Sequence, residues 1–139
     1  LKDRRRYISL IKKKGGKFAT LVSPQAIVTS KKKRLTTGVT IGPFSVISSD
    51  VTIGQHTVIC DHVTLGHDVS VGRNCQIGAF AFVGGGAIIG RRVTVHPHAS
   101  ILPGAVIGND ATVGAGSVVL GRVGEGETVF GVPAQRVKT

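Results

Sequence analysis

Tryptophan and methionine are absent from the 139 residues, and tyrosine occurs once. A core without large aromatics must be tiled from Val, Ile, Leu and Ala, which suits a repetitive architecture better than an interlocking one. Cysteine occurs only as Cys60 and Cys75, too few for a disulfide framework. There is no apolar run long enough to span a bilayer and no signal peptide. The reading is a cytoplasmic protein, reduced and without membrane insertion. Negative charge is scarce too: 7 Asp and Glu stand against 18 Lys and Arg, a net charge of +11. That surplus attracts polyanions of any kind, from nucleic acid to phosphorylated small molecules. The length fits one domain. The chain begins at Leu1 rather than Met, as expected of a fragment or a processed form.

Glycine is abundant, and its spacing is regular. Stepping by six from Leu35 gives Ile41, Ile47, Ile53, Ile59, Leu65, Val71, Ile77, Val83, Ile89, Val95, Ile101, Ile107, Val113 and Val119, all aliphatic. The position four later is always small or Val, from Val39 and Ser45 through Cys75 and Ala81 to Ser117 and Val123. Gly often follows the aliphatic, as at Gly66, Gly72 and Gly78. Each unit reads as a short strand plus a turn. The aliphatic and the small residue two before it point inward, and Gly supplies the positive φ that a sharp corner can require. Three units close a triangular coil, and coils stack about 4.8 Å apart as parallel strands. This pattern resembles the left-handed parallel β-helix. The expected fold is therefore all-β: a left-handed parallel β-helix of hexapeptide repeats, with a short N-terminal helix and a C-terminal capping tail. The hand is implied by that resemblance, since the general preference for right-handed crossovers gives the opposite one.

Upstream, Val22 and Val28 continue the pattern after a one-residue slip. The slip is assigned to Lys31-Lys32-Lys33-Arg34, read as a bulged corner that carries the basic cluster into solvent. In KDRRRYISLIKKK, residues 2–14, Tyr7, Ile8, Leu10 and Ile11 recur at helical spacing, and Gly15-Gly16 stop the helix. A lone short helix is marginal, so it must pack on the end of the β-helix, on a neighbouring subunit or on another domain. The tail GETVFGVPAQRVKT leaves the hexad register after Val123 and is expected to fold over the last coil, covering open strand edges. The expected division is 1–17 N-terminal helix, 18–124 β-helix and 125–139 capping tail.

Two stretches point to a family. GSVVLGRVGEGETVFGVPAQRV, residues 116–137, resembles the C-terminus of hexapeptide acyltransferases. GGKFATLVSPQAIV, residues 15–28, resembles the hinge between a Rossmann-like domain and the β-helix in one branch, that of the sialic-acid O-acetyltransferases and nucleotide-aminosugar N-acetyltransferases. The resemblance implies an acetyl-CoA-dependent acetyltransferase acting on the amine or hydroxyl of a sugar or nucleotide-sugar. It implies a homotrimer with active sites between subunits, and acetyl-CoA as co-substrate with no metal. Residues 2–14 would be the last helix of an N-terminal domain that is otherwise missing from this chain.

Acetyl transfer from a thioester needs a base for the acceptor's proton and a donor for the oxyanion. A histidine whose tautomer is fixed by a carboxylate meets the first need. By register, His62, Phe80, His98 and Gly116 stack on one edge of the prism, and His67 stacks with Gly85, Pro103 and Gly121 on the next. In the aminosugar branch, the base is a His followed by an acidic residue in the corner before a hexad like Leu65-Gly66. Carried over, those positions are Asp61 and His62, in inverted order. His67, with the adjacent Asp68, is the first candidate for the base, and His62 is the second. His56 and His96 read as solvated corners, and His98 as lining the edge beside Phe80. The resemblance carries Ala79, Gly90 and Gly104 into a CoA groove between subunits, with Arg91, Arg92, Arg122 and Arg136 available to its phosphates or simply solvated. Cys75 reads as an inert core thiol. Cys60 sits on another face, so no disulfide is expected, and Asp61 beside it disfavours a nucleophilic role.

Three other functions compete with this reading. HVTLGH, residues 62–67, has the His-x4-His spacing of gamma-class carbonic anhydrases, which share this fold. Residues 1–55 offer no third His, however, and the register differs. A non-catalytic trimeric scaffold is compatible with the repeat. Nucleic-acid binding is not expected, because the charge comes without a basic-aromatic platform.

Overall fold

A computed structural model describes residues 2–30 and 35–138, and in it the chain winds into a three-faced parallel β-helix. The hexad dictates this. In the central units the two inward positions, such as Val63 with Leu65 or Ala99 with Ile101, are buried, and together they tile the axis of the prism. The residue between them faces out, so strands such as Thr64–Leu65 and Ser70–Val71 are two residues long before the chain turns.

Face one stacks Val58–Ile59, Gln76–Ile77 and Thr94–Val95, face two Thr64–Leu65, Phe82–Val83 and Ser100–Ile101, and face three Ser70–Val71, Ile88–Ile89 and Val106–Ile107, with further strands above and below. The central coils keep one register throughout, pairing Ile59 with Ile77, Leu65 with Val83 and Val71 with Ile89. Three edges result. The first, between faces one and two, holds residues 60–63 and 78–81. The second, between faces two and three, holds 66–69 and 84–87. The third, between faces three and one, holds 54–57, 72–75 and 90–93.

The glycines after the aliphatics serve a purpose other than the expected one. The left-handed residue of each corner lies two positions further on, at His62 (φ 54°), Asp68 (58°), Phe80 (60°) and His98 (60°), and Gly66, Gly72 and Gly78 are not left-handed. They are Gly because the next coil passes too close. A Cβ on Gly72 would sit 2.5 Å from the Gly90 carbonyl oxygen, which is backbone and cannot swing away. Gly72→Ala is expected to lower the unfolding free energy by about 1–3 kcal/mol, the cost of forced overpacking. Gly104→Ala, at φ +72° in open space, is expected to lose only about 1 kcal/mol. Urea midpoints of the two variants check this.

Both ends depart from the strict repeat. Leu21 pairs with Thr40 and Ile27 with Val46, one residue out of step with the central coils, and Leu35 then meets Ile53 in the regular register. The slip therefore falls between Val28 and Leu35, as the sequence predicts. The corner expected at Lys31–Arg34 lies outside the described residues. At the other end Ile107 pairs with Val123, which makes Val123 a strand aliphatic rather than the small residue of the next hexad. The corner at Leu120-Gly121 is shortened, so the register breaks before Val123 and not after it. Thr128–Phe130 then adds one more strand to face one, and Gln135–Arg136 folds back antiparallel to cover its free edge.

The helix α1 (Lys2–Lys13) ends as expected. Gly15 takes φ +79°, its N–H reaches the Lys12 carbonyl, and the Gly16 N–H reaches that of Ile11. It does not pack on the end of the β-helix. It lies along the side, where Ile8 and Ile11 line a shared cleft with Phe18, Thr40, His56 and Val58.

Candidate active site

On the second edge, His67 Nδ1 lies 2.8 Å from Asp68 Oδ2, and both side chains are exposed (71% and 64%). The pairing needs no long-range packing, because adjacent corner residues with Asp68 at φ 58° bring ring and carboxylate together. The corner is tied on both sides: the Asp68 N–H donates to the Ser49 carbonyl, and the His67 carbonyl accepts from Gly86 N–H. A carboxylate at Nδ1 holds that nitrogen's proton and leaves Nε2 with its lone pair free. Gly85 of the next coil faces the ring. A Cβ there would lie 2.6 Å from Nε2, so the absent side chain keeps this atom open.

The first edge carries a ladder of rings. Phe44, His62, Phe80 and His98 stack with centroids 5.0, 4.6 and 5.0 Å apart, and the last two rings are inclined by only 1°. The sequence register places His62, Phe80 and His98 in this column. Phe44 was missed, although it stands one coil before His62. Asp61 Oδ2 lies 3.1 Å from His62 Nδ1, and this bond holds the Asp61 carboxyl below the usual range. His62 thus has a carboxylate partner despite the inverted order, but its ring is clamped between two phenylalanines. His62 and His67 occupy different edges, at opposite ends of the strand Thr64–Leu65.

The residues assigned to CoA are not gathered within one chain. Ala79 lies on the first edge, Gly104 on the second, and Gly90 and Arg91 on the third. The Arg91 N–H is taken by Asn109 Oδ1 at 3.0 Å. Of the arginines considered for its phosphates, Arg92 is engaged by Asp110 in a bidentate pair, and Arg136 approaches Glu127 at 3.5 Å.

Neither thiol is poised to react. Burial and then Asp61 push the Cys60 thiol up. Cys75 is fully buried with Sγ 3.0 Å from the Gly90 oxygen, and burial raises its pKa as well. His96 is exposed, as expected, but His56 is not a solvated corner. Its side chain is buried beneath α1, edge-on to Phe18 at 4.7 Å. Apolar and basic residues of α1 both lie beside it, an arrangement that the hexad register could not reveal. Among the described residues, no group of three His, Cys, Asp or Glu side chains could hold a metal, and no helix is long and apolar enough to cross a membrane.

A prism of two-residue strands with an aliphatic core and outward polar corners defines a hexapeptide-repeat β-helix. The chain belongs to the bacterial transferase hexapeptide (six repeats) family, whose profile matches residues 37–67, 68–102 and 86–121. Among solved structures, it is similar to perosamine N-acetyltransferase from Caulobacter crescentus, seen as a histidine-to-asparagine variant in complex with CoA and GDP-perosamine. The TM-score is 0.93 and the identity 26%, over 99% of this chain and 65% of that one. The acetyltransferase domain of PglB from Neisseria gonorrhoeae, in complex with acetyl coenzyme A, matches with a TM-score of 0.54 and 25% identity over 98% of this chain and 66% of that one. WeeI from Acinetobacter baumannii shares the fold, with a TM-score of 0.69 and 24% identity over 96% of this chain and 65% of that one. This chain therefore spans just under two thirds of the Caulobacter protein's length. No curated protein matches it by sequence.

Proposed function

We propose that this chain is the β-helix of an acetyl-CoA-dependent acetyltransferase whose acceptor is the amine or hydroxyl of a sugar or nucleotide-sugar. The observation that carries the proposal is the His67–Asp68 pair, with Nε2 unoccupied and facing Gly85. His67 Nε2 accepts the proton as the acceptor nitrogen or oxygen forms its bond to the acetyl carbon. The carbon–sulfur bond breaks, and the thiolate leaves as coenzyme A. Asp68 keeps the imidazole oriented and stabilises its protonated form. His62 is the second candidate for the base. Two similar structures with bound CoA or acetyl-CoA, one of them also with GDP-perosamine, support the class of both substrates.

The working form is a homotrimer in the cytoplasm. Ala79, Gly90, Arg91 and Gly104 lie on three edges, and a groove between two copies can draw on edges of both. In this reading residues 1–17 end an N-terminal domain, 18–124 form the catalytic β-helix and 125–139 cap it. Calorimetric titration with acetyl-CoA tests the proposal. Micromolar binding at one site per chain is expected, and no binding at millimolar ligand to a folded trimer would overturn it in favour of a scaffold.

A further inference from the structure

The third edge bears a second polar centre, on a different edge from His67. Here α1 and the β-helix flank an open cleft of about 370 Å³, lined by Arg5, Lys12 and Lys13 from the helix and by His56, Arg73 and Asn74 from two successive coils. Its described lining includes four Arg and Lys side chains and no carboxylate. Two buried polar atoms among the described residues have no hydrogen-bond partner, Arg5 Nε and His56 Nε2, and both belong to residues that line this cavity. His56 is only 4% exposed, and Gly38 leaves the space that its Nδ1 side occupies. An oxyanion in the cleft would offset the surrounding charge. Burial first, and then the charges of Lys12 and Arg4, hold the His56 pKa below its usual value. The volume is many times that of a water molecule, about 30 Å³, and has room for a phosphoryl or diphosphoryl group.

We propose that the cleft between α1 and the third edge is a binding site for a phosphate ester or diphosphate, with Arg5, Arg73, Lys12 and Lys13 as its charge partners and the buried His56 at its wall. It lies on a different edge from His67 and does not depend on the acetyl-transfer reading. Either a free phosphorylated metabolite or the diphosphate of a nucleotide supplies the required chemistry.

The test is calorimetry on the intact chain with inorganic pyrophosphate, and separately with a nucleoside diphosphate. One pyrophosphate per chain is expected to bind at submillimolar concentration. Arg73→Gln, an exposed position that leaves the core untouched, should weaken binding roughly tenfold, the loss of one charge-assisted bond. Lys138→Gln removes the same charge elsewhere and should change affinity by less than about twofold. The His56 Nε2 resonance should shift on adding pyrophosphate to the unmodified protein. If the nucleoside diphosphate also binds and loses affinity in Arg73→Gln, the source is a nucleotide. If only the inorganic ion does so, it is a small phosphorylated metabolite. The site would be overturned by no binding, by equal losses in Arg73→Gln and Lys138→Gln, or by an unmoved His56 resonance. Acetyl-CoA affinity should be unchanged in Arg73→Gln, and its parallel loss would place the coenzyme's own phosphates here and overturn the independence of the site.

Discussion

His67→Ala is expected to lower kcat for acetyl transfer to a nucleotide-aminosugar by roughly 10²–10⁴-fold, the usual contribution of a positioned general base. KM for acetyl-CoA should stay within a few-fold, because in the proposed reaction the ring's free nitrogen meets the acceptor's proton and not the body of the coenzyme. The fold should survive, since the side chain is 71% exposed and contributes nothing to the core. His62→Ala should behave in the opposite way. Its ring lies between Phe44 and Phe80, so removal opens the ladder and lowers stability while largely sparing kcat. Steady-state rates and thermal melts of the two variants, in a chain that carries the whole acceptor site, separate these outcomes. A kcat lost in His62→Ala and kept in His67→Ala would transfer the role of base to the first edge.

Ile77→Ala is expected to destabilise the protein by about 2–5 kcal/mol, the range for emptying a large aliphatic site. The upper half of that range is the more apt here. Ile77 is fully buried. Its strand is bonded to the coil on each side, through Ile59 below and Val95 above. Those ladders hold the spacing of the coils, so the walls cannot close on the cavity. Denaturant unfolding gives the loss directly. A loss below about 1 kcal/mol would mean that the coils can collapse, against the cavity cost expected of a fixed frame.

The repeat makes most of this legible in the sequence itself. The alternation of Val63 with Leu65, or of Ala99 with Ile101, specifies which side chains point inward, and the six-residue step specifies which residues stack. The column of His62, Phe80 and His98 follows from that arithmetic alone. Two kinds of information did not. The first was why the corner residues are Gly. A close approach between coils, as at Gly72, leaves the same residue type in the sequence as a left-handed turn does, and only the backbone path tells them apart. The second was anything outside the repeat. The burial of His56 depends on where α1 lies, and a helix with no periodic relation to the hexads gives no register from which to place it. The same holds for the short corner at Leu120-Gly121, which moved Val123 into a strand. The adjacency of His67 and Asp68 was plain in the sequence, and the open face of Nε2 required the coil above.

The uniform register of the central coils makes each edge a graduated rule. Backbone positions that are equivalent in successive corners of one edge are separated by whole steps of about 4.8 Å, since the ladders forbid any intermediate displacement. A ligand lying along the prism is therefore measured in discrete units. Selectivity between ligands that differ by less than one unit must come from the length of the side chains at the corners, as with the bare Gly85 above His67, or from a second copy set at an independent height.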